Sequence, residues 1–297
     1  MAPELRGIFP AMVTPFNRSG DIDEEGLRSE VQVLLSAEVH GLAICSSIGE
    51  GHTLALEETV EVSRIVIDEA GGKVPVITGI LGDSTRAVIR AAKELGELDV
   101  AALLIAPVHY RYSPGELGHI DFYREIDRAT RIPVIVDNVV PWNALSPKLL
   151  LSLEDVPQVI GVNQCTGGLS ALAELIALND RQLKIFSAHD DLLYPALSLG
   201  VVGAISAIAA VLPDLCLKLW HAVEIGDHEA ERELHRRILP VWGVLNHPNL
   251  PARVKAAIEL RGRRVGSARH PLLPVSANVR AEIDSALDQA GVLGRFS

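Results

Sequence analysis

The chain has 297 residues, 48% hydrophobic and 22% charged, enough for one large core or for a barrel with a small appendage. Its 38 acidic and 27 basic residues give a formal charge of -11, and no Lys/Arg block carries interleaved aromatics, which argues against nucleic acid or an anionic membrane as partner. There is no apolar run of the ~18 residues that a membrane span needs, MAPELRGIFP lacks a secretory core, and Cys45, Cys165 and Cys216 show no CxxC spacing, so a cytoplasmic protein with reduced thiols is expected.

Short β-branched runs alternate with helical patterns, which is the signature of βα units on a parallel sheet. The predicted strands are Gly7 to Val13, Gly41 to Cys45, Val74 to Thr78, Ala101 to Ala106, Pro133 to Val136, Val159 to Val162, Lys184 to Phe186 and Gly203 to Ser206. Between them, segments such as Glu24 to Glu38 and Leu56 to Ala70 space their apolar residues as outer helices do. Eight such units are what a closed α/β barrel, the (β/α)8 or TIM barrel, requires. Further helices are predicted at Pro213 to Ile225, His228 to Leu245, Pro251 to Arg261 and Asn278 to Gln289, more than a barrel needs. Residues 1–213 therefore read as the barrel, and 214–297 as a helical extension packed on it rather than an independent domain.

In such a barrel the working residues project from the C-terminal strand ends. After strand 1, VTPF at Val13 to Phe16 places Pro15 at a turn, and Asp23 suits a helix N-cap. After strand 2, CSSIGEG offers Ser47, Ile48, Gly49 and Glu50 as a loop whose glycines allow close approach and whose amides can face a carboxylate. After strand 4, APVHYRYSP carries His109, whose ordinary pKa suits proton transfer near neutrality, with Tyr110 and Tyr112 beside it. Asp137 ends a buried strand, where a carboxylate is costly unless it is partnered or faces a site. Asn163 ends strand 6, and SAHDD after strand 7 places His189 near the rim, with Asp190 or Asp191 suited to cap the next helix.

These motifs, in this order, resemble the class I aldolase family that contains dihydrodipicolinate synthase and N-acetylneuraminate lyase. VIGVNQCTGG at Val159 to Gly168 stands where that family typically reads IIGIKEATG, so Asn163 replaces the lysine that forms the Schiff base with a 2-oxo acid. CSSIGEG stands for GTTGE or GSTGE, with Ile48 in place of the second hydroxyl. His109 and Asp137 occupy the places of two relay tyrosines, and Trp142 or Asn143 that of a carboxylate-binding arginine. The resemblance, from Gly7 to about Gly291, implies a homo-oligomer, a dimer or tetramer, acting on a small molecule.

Without the lysine, carbanion-like charge must be held as an enolate oxyanion by hydrogen-bond donors or a metal. The leading expectation is a lyase (aldolase, retro-aldolase or dehydratase) acting on a small 2-oxo or hydroxy-carbonyl compound, with no cofactor, no metal and no Schiff base. Asp137 is then the base, His109 the acid, Asn163 and Ser47 orient the substrate, and Ile48, Gly49, Glu50, Tyr110 and His189 line the site. Two alternatives stand beside it. One is a metal-dependent aldolase or hydrolase using His109, Asp137 and His189, and the other is a catalytically silent ligand-binding member. Cys165 as a nucleophile lacks an evident activating base.

Overall fold

The apolar runs fold into eight parallel strands: β1 (Gly7–Pro10), β2 (Leu42–Ile44), β3 (Val76–Ile80), β4 (Ala102–Ile105), β5 (Val134–Asn138), β6 (Val159–Gln164), β7 (Lys184–Ser187) and β8 (Gly203–Ser206). This computed structural model describes residues 4–108, 110–180 and 183–292; His109 lies outside them. The strands pair in the order β1-β8-β7-β6-β5-β4-β3-β2. Between β1 and β2 the ring is bridged by the parallel pair Ala11 and Ala43, where the Met12 N–H donates to the Ala43 carbonyl at 2.8 Å.

Helices α1 (Glu24–Ser36), α2 (Leu56–Ala70), α3 (Thr85–Leu95), α4 (Gly115–Ala129), α5 (Pro147–Ser152), α6 (Gly168–Leu178) and α7 (Leu193–Ser198) alternate with the strands. Local chemistry fixes several starts. Asp23, Ser84 and Ser146 accept from backbone N–H groups in the first turns of α1, α3 and α5. The short α8 (Ala207–Val211) follows β8, and α9 (Pro213–Ile225) packs against β1, α7 and α8. Beyond it α10 (His228–Leu245), α11 (Leu250–Leu260) and α12 (Ala277–Gln289) pack on one another, with α10 touching α7 and α11 touching α8. Arg263 rivets the extension to the barrel: its Nε donates to Glu30 Oε1 at 3.0 Å and its Nη1 to the Ala210 carbonyl at 2.8 Å. Among the described residues no helix is long and apolar enough to cross a membrane.

The barrel interior is filled by side chains rather than left as a pore. Phe9 and Phe186 meet edge to face with centroids 5.6 Å apart. Gly41 makes room for Phe9, since a Cβ there would lie 1.9 Å from Phe9 Cε1. Gly41→Ala is therefore expected to cost about 3 kcal/mol by overpacking, read as a lowered urea midpoint.

Four strands depart from their predicted spans by two or more residues, and each departure shapes the C-terminal end of the barrel. β1 stops at Pro10 because the chain changes partner there: the Ala11 N–H still bonds Ser206, whereas Met12 bonds Ala43. β3 runs on to Ile80, and its Gly79 lets the loop after β2 fold over it, since a Cβ there would stand 2.6 Å from the Cys45 carbonyl oxygen. β5 and β6 extend through Asn138 and Gln164, so Asp137 and Asn163 are strand residues in register with each other.

Candidate active site

Register brings the decisive pair together. Asp137 stands opposite Asn163 across β5 and β6, and Asn163 Nδ2 donates to Asp137 Oδ1 at 2.8 Å. One residue on, Asn138 Nδ2 donates to Gln164 Oε1 at 2.9 Å and also closes on the Leu145 backbone, which pins the strand ends. Asp137 and Asn163 are 2% and 3% exposed, and burial pushes the Asp137 carboxyl up to about 6, against which the Asn163 hydrogen bond works. Burial, helped by the Asp137 charge, raises the nearby Tyr123 phenol, whose hydroxyl donates to the Ile105 carbonyl at 3.1 Å.

Both side chains face a cavity of about 260 Å³ at the C-terminal mouth of the barrel. Its polar wall adds Ser46, Ser47 and Cys165, and its apolar wall includes Ile48, Leu104, Val139 and Ile205. Two buried polar atoms of these residues, Ser46 Oγ and Asn163 Oδ1, find no partner among the described residues, which marks the hydrogen bonds a ligand could complete. Burial raises the Cys165 thiol to about 11, so it stands as a neutral thiol.

The loop after β2 is held in an unusual shape. Cys45 and Glu50 both take left-handed backbone, at φ 54° and 55°, and so turn the chain back on itself around Ser46 to Gly49. Ser47 and Ile48 line the cavity, and Gly49 is packed where a Cβ would meet the Cys45 amide at 2.9 Å. Glu50 faces elsewhere. Fully buried, its carboxylate pairs with Lys255 at 2.7 Å and accepts from the Arg269 N–H at 2.8 Å, locking the loop to the C-terminal extension.

The remaining candidates spread out. Tyr110 is 76% exposed and outside the cavity lining, its N–H bonded to Asp83 at 2.9 Å; Tyr112 is equally exposed. His189 is buried behind the lining, its Nδ1 3.3 Å from Ser187 Oγ and its Nε2 without a hydrogen-bond partner among the described residues; burial holds its pKa below the usual value. Asp190 reaches the cavity but caps α8, accepting from Ser206 Oγ at 2.5 Å and from the Ala207 and Ile208 N–H groups at 3.2 Å. Asp190→Ala is expected to destabilise the fold by about 2 kcal/mol through loss of that cap, measurable in urea. Trp142 is 70% exposed, whereas Asn143 is buried, its Nδ2 donating to the Val108 carbonyl and lying 3.3 Å from His119 Nε2.

No lysine lines the cavity among the described residues. Lys73, Lys93, Lys148 and Lys218 are exposed, and Lys184 begins β7 at the opposite end of the barrel. Lys255 is buried, and burial lowers its pKa, but Glu50, the Ser267 carbonyl at 3.0 Å and the Phe16 ring hold its ammonium. Nor do three His, Cys, Asp or Glu side chains gather into a metal-sized group among the described residues.

Sequence motifs missed the roof. Trp242, Asn246 and Leu250, from the end of α10 and the start of α11, close the cavity from above. Their one sequence signal is the four-residue spacing of Trp242 and Asn246, which places both on one helix face.

The same architecture recurs in known proteins. The family model described as the dihydrodipicolinate synthetase family matches residues 4–290. A 4-hydroxy-tetrahydrodipicolinate synthase of Methanospirillum hungatei is 35% identical over 293 residues, covering 96% of this chain and 99% of that protein. The enzyme of that name from Methanopyrus kandleri is 34% identical over 297 residues, covering 99% of each. Among solved structures, a dihydrodipicolinate synthase from Bacillus anthracis superposes with a TM-score of 0.91 at 27% identity, over 96% of this chain and 98% of the other. One from Acinetobacter baumannii in complex with pyruvate gives 0.91 at 27% identity, over 97% and 100%. With eight strands in the same barrel and a match along nearly its whole length, the chain belongs to the dihydrodipicolinate synthetase family.

Proposed function

We propose that this protein is a lyase of the aldolase type that handles a small 2-oxo or hydroxy-carbonyl compound through an enolate, without a lysine Schiff base. The observation that carries this reading is the Asp137–Asn163 pair at the mouth cavity, with a carboxyl raised to about 6 beside an amide. A base poised near the working pH is suited to taking a proton from carbon next to a carbonyl.

In the bond-forming direction Asp137 removes that proton, the C–H electrons become the C–C double bond, and the carbonyl pair moves onto oxygen. Asn163 spends one amide N–H on Asp137 and has a second for the oxyanion, and Ser46 Oγ is an unpartnered hydroxyl in the same cavity. Ser47 and the turned backbone of the β2 loop orient the carboxylate of a 2-oxo acid. The enolate carbon attacks an aldehyde, and the resulting alkoxide takes its proton from His109, the imidazole that follows β4 in sequence. Cleavage is the reverse.

A homo-oligomer belongs to this reading. Tyr110, Tyr112, Leu117 and Trp142 expose apolar surface around the loops after β4 and β5, beside the mouth, where a second copy would cover them.

The test is deuterium exchange at C3 of a panel of 2-oxo acids in D2O, followed by proton NMR. The wild-type protein is expected to exchange at least one of them well above the solvent rate, and Asp137→Asn is expected to lower that rate about a hundredfold or more. Exchange at the solvent rate across the panel would favour a silent ligand binder, and an unchanged rate in the variant would reject Asp137 as the base.

A further inference from the structure

The chemistry of the cavity lining narrows the substrate. Its polar groups open to a ligand gather in two places, Ser46 and Ser47 after β2 and the Asp137–Asn163 pair with Cys165 at the ends of β5 and β6, because the Asp190 carboxylate is engaged in capping α8. The β2 loop and the β5–β6 pair lie on opposite sides of the barrel ring, so a short carbonyl head spans the mouth between them. What remains for the rest of the molecule is apolar: Ile48, Val139, Ile205, Trp242 and Leu250, with Asn246 at the rim. No arginine, lysine or histidine lines the cavity among the described residues, and its carboxylates are Asp137 and Asp190, both raised to about 6 by burial. A second substrate carboxylate would find no lysine or arginine among the described residues there. A polyhydroxylated tail would face mainly apolar side chains, with Asn246 at the rim.

We infer that the site takes a carbonyl compound with a flat or branched apolar tail, an aryl or branched-alkyl 2-oxo acid or its aldol, seated under the Trp242 and Leu250 roof. The inference rests on the proposed enolate chemistry for which end is the head, and it adds what the other end must be. Trp242 is buried and presents a ring to the cavity, a surface suited to an aromatic or branched partner. Space agrees. About 260 Å³ holds roughly nine water-sized groups, room for a three-carbon head and one ring but not for a long chain. The extension thus contributes the roof of the tail pocket, while the barrel supplies its walls and the chemistry.

Calorimetric binding of four probes tests this: pyruvate, phenylpyruvate, 2-oxoglutarate and a trihydroxylated six-carbon 2-oxo acid. Phenylpyruvate is expected to bind about tenfold or more tighter than pyruvate, and the two polar-tailed acids no tighter than pyruvate. Trp242→Ala is expected to lower the ratio of phenylpyruvate to pyruvate affinity about tenfold. Should that variant fail to fold, Leu250→Arg, at a half-exposed position, is expected to raise 2-oxoglutarate affinity about tenfold by giving the second carboxylate a partner. The inference is overturned if a polar-tailed acid binds tightest, if no probe binds, or if the folded variants leave the preferences unchanged. Deuterium exchange reports on the enolate chemistry separately, so a head without exchange and a tail without preference are distinct failures.

Discussion

Asp137→Asn is expected to lower turnover about a thousandfold and, at neutral pH, to stabilise the fold by about 3 kcal/mol. Both effects come from one displaced equilibrium. The carboxyl ionises near 6 in the folded chain against 3.8 ordinarily, so the folded protein binds the proton more tightly than the unfolded chain does. Ionisation therefore costs stability as pH rises from about 4 to about 6, and the full cost, about two pKa units, is present above that. An amide of the same shape removes the cost and keeps a partner for Asn163. The wild-type kcat/KM should rise with pH through about 6 as the base deprotonates, and the stability difference between wild type and variant should vanish below about pH 4. A structural aspartate would predict the opposite sign in urea.

Lys255→Met is expected to destabilise the protein by about 3 to 5 kcal/mol, because it leaves the fully buried Glu50 carboxylate without its cation. Among the described residues Glu50 would retain the Arg269 N–H, at 2.8 Å. The double variant Glu50→Gln with Lys255→Met should recover most of the loss, since an amide needs no counter-charge. Urea unfolding of the two single variants and the double variant gives the coupling directly. The Lys255→Met variant should also bind 2-oxo acids more weakly, because the Glu50 anchor holds the left-handed turn that carries Ser46, Ser47 and Ile48 to the cavity. Unaltered binding in a destabilised protein would confine the pair to a structural role.

The sequence announced the barrel because hydrophobic periodicity is local. Leu56 to Ala70, Pro213 to Ile225 and His228 to Leu245 fold over the spans their patterns predict. Strand ends were harder to read where polar residues interrupt an apolar run. Asp137 and Asn163 look like strand terminators one at a time, and only their register across β5 and β6 shows that they satisfy each other inside the sheet. Glu50 misleads for a related reason. Its motif marks it for the substrate, whereas its partner Lys255 lies about two hundred residues away on α11, beyond the reach of local pattern. The roof residues Trp242, Asn246 and Leu250 belong to no motif and become visible only once the extension is folded over the mouth, and Ser46, inside CSSIGEG, shows its place in the cavity lining only in the folded loop. His109, the proposed acid, lies outside the described residues, and its role rests on sequence.

In the proposed reaction Asn163 and Asp137 do with hydrogen bonds what a lysine iminium does covalently. Borohydride reduction in the presence of a 2-oxo acid that the protein turns over, followed by intact and peptide mass spectrometry, tests it most directly. An unmodified chain and undiminished activity after removal of the reagent are expected. A mass increase of one reduced 2-oxo acid on any lysine, Lys255 included, together with loss of activity, would contradict it.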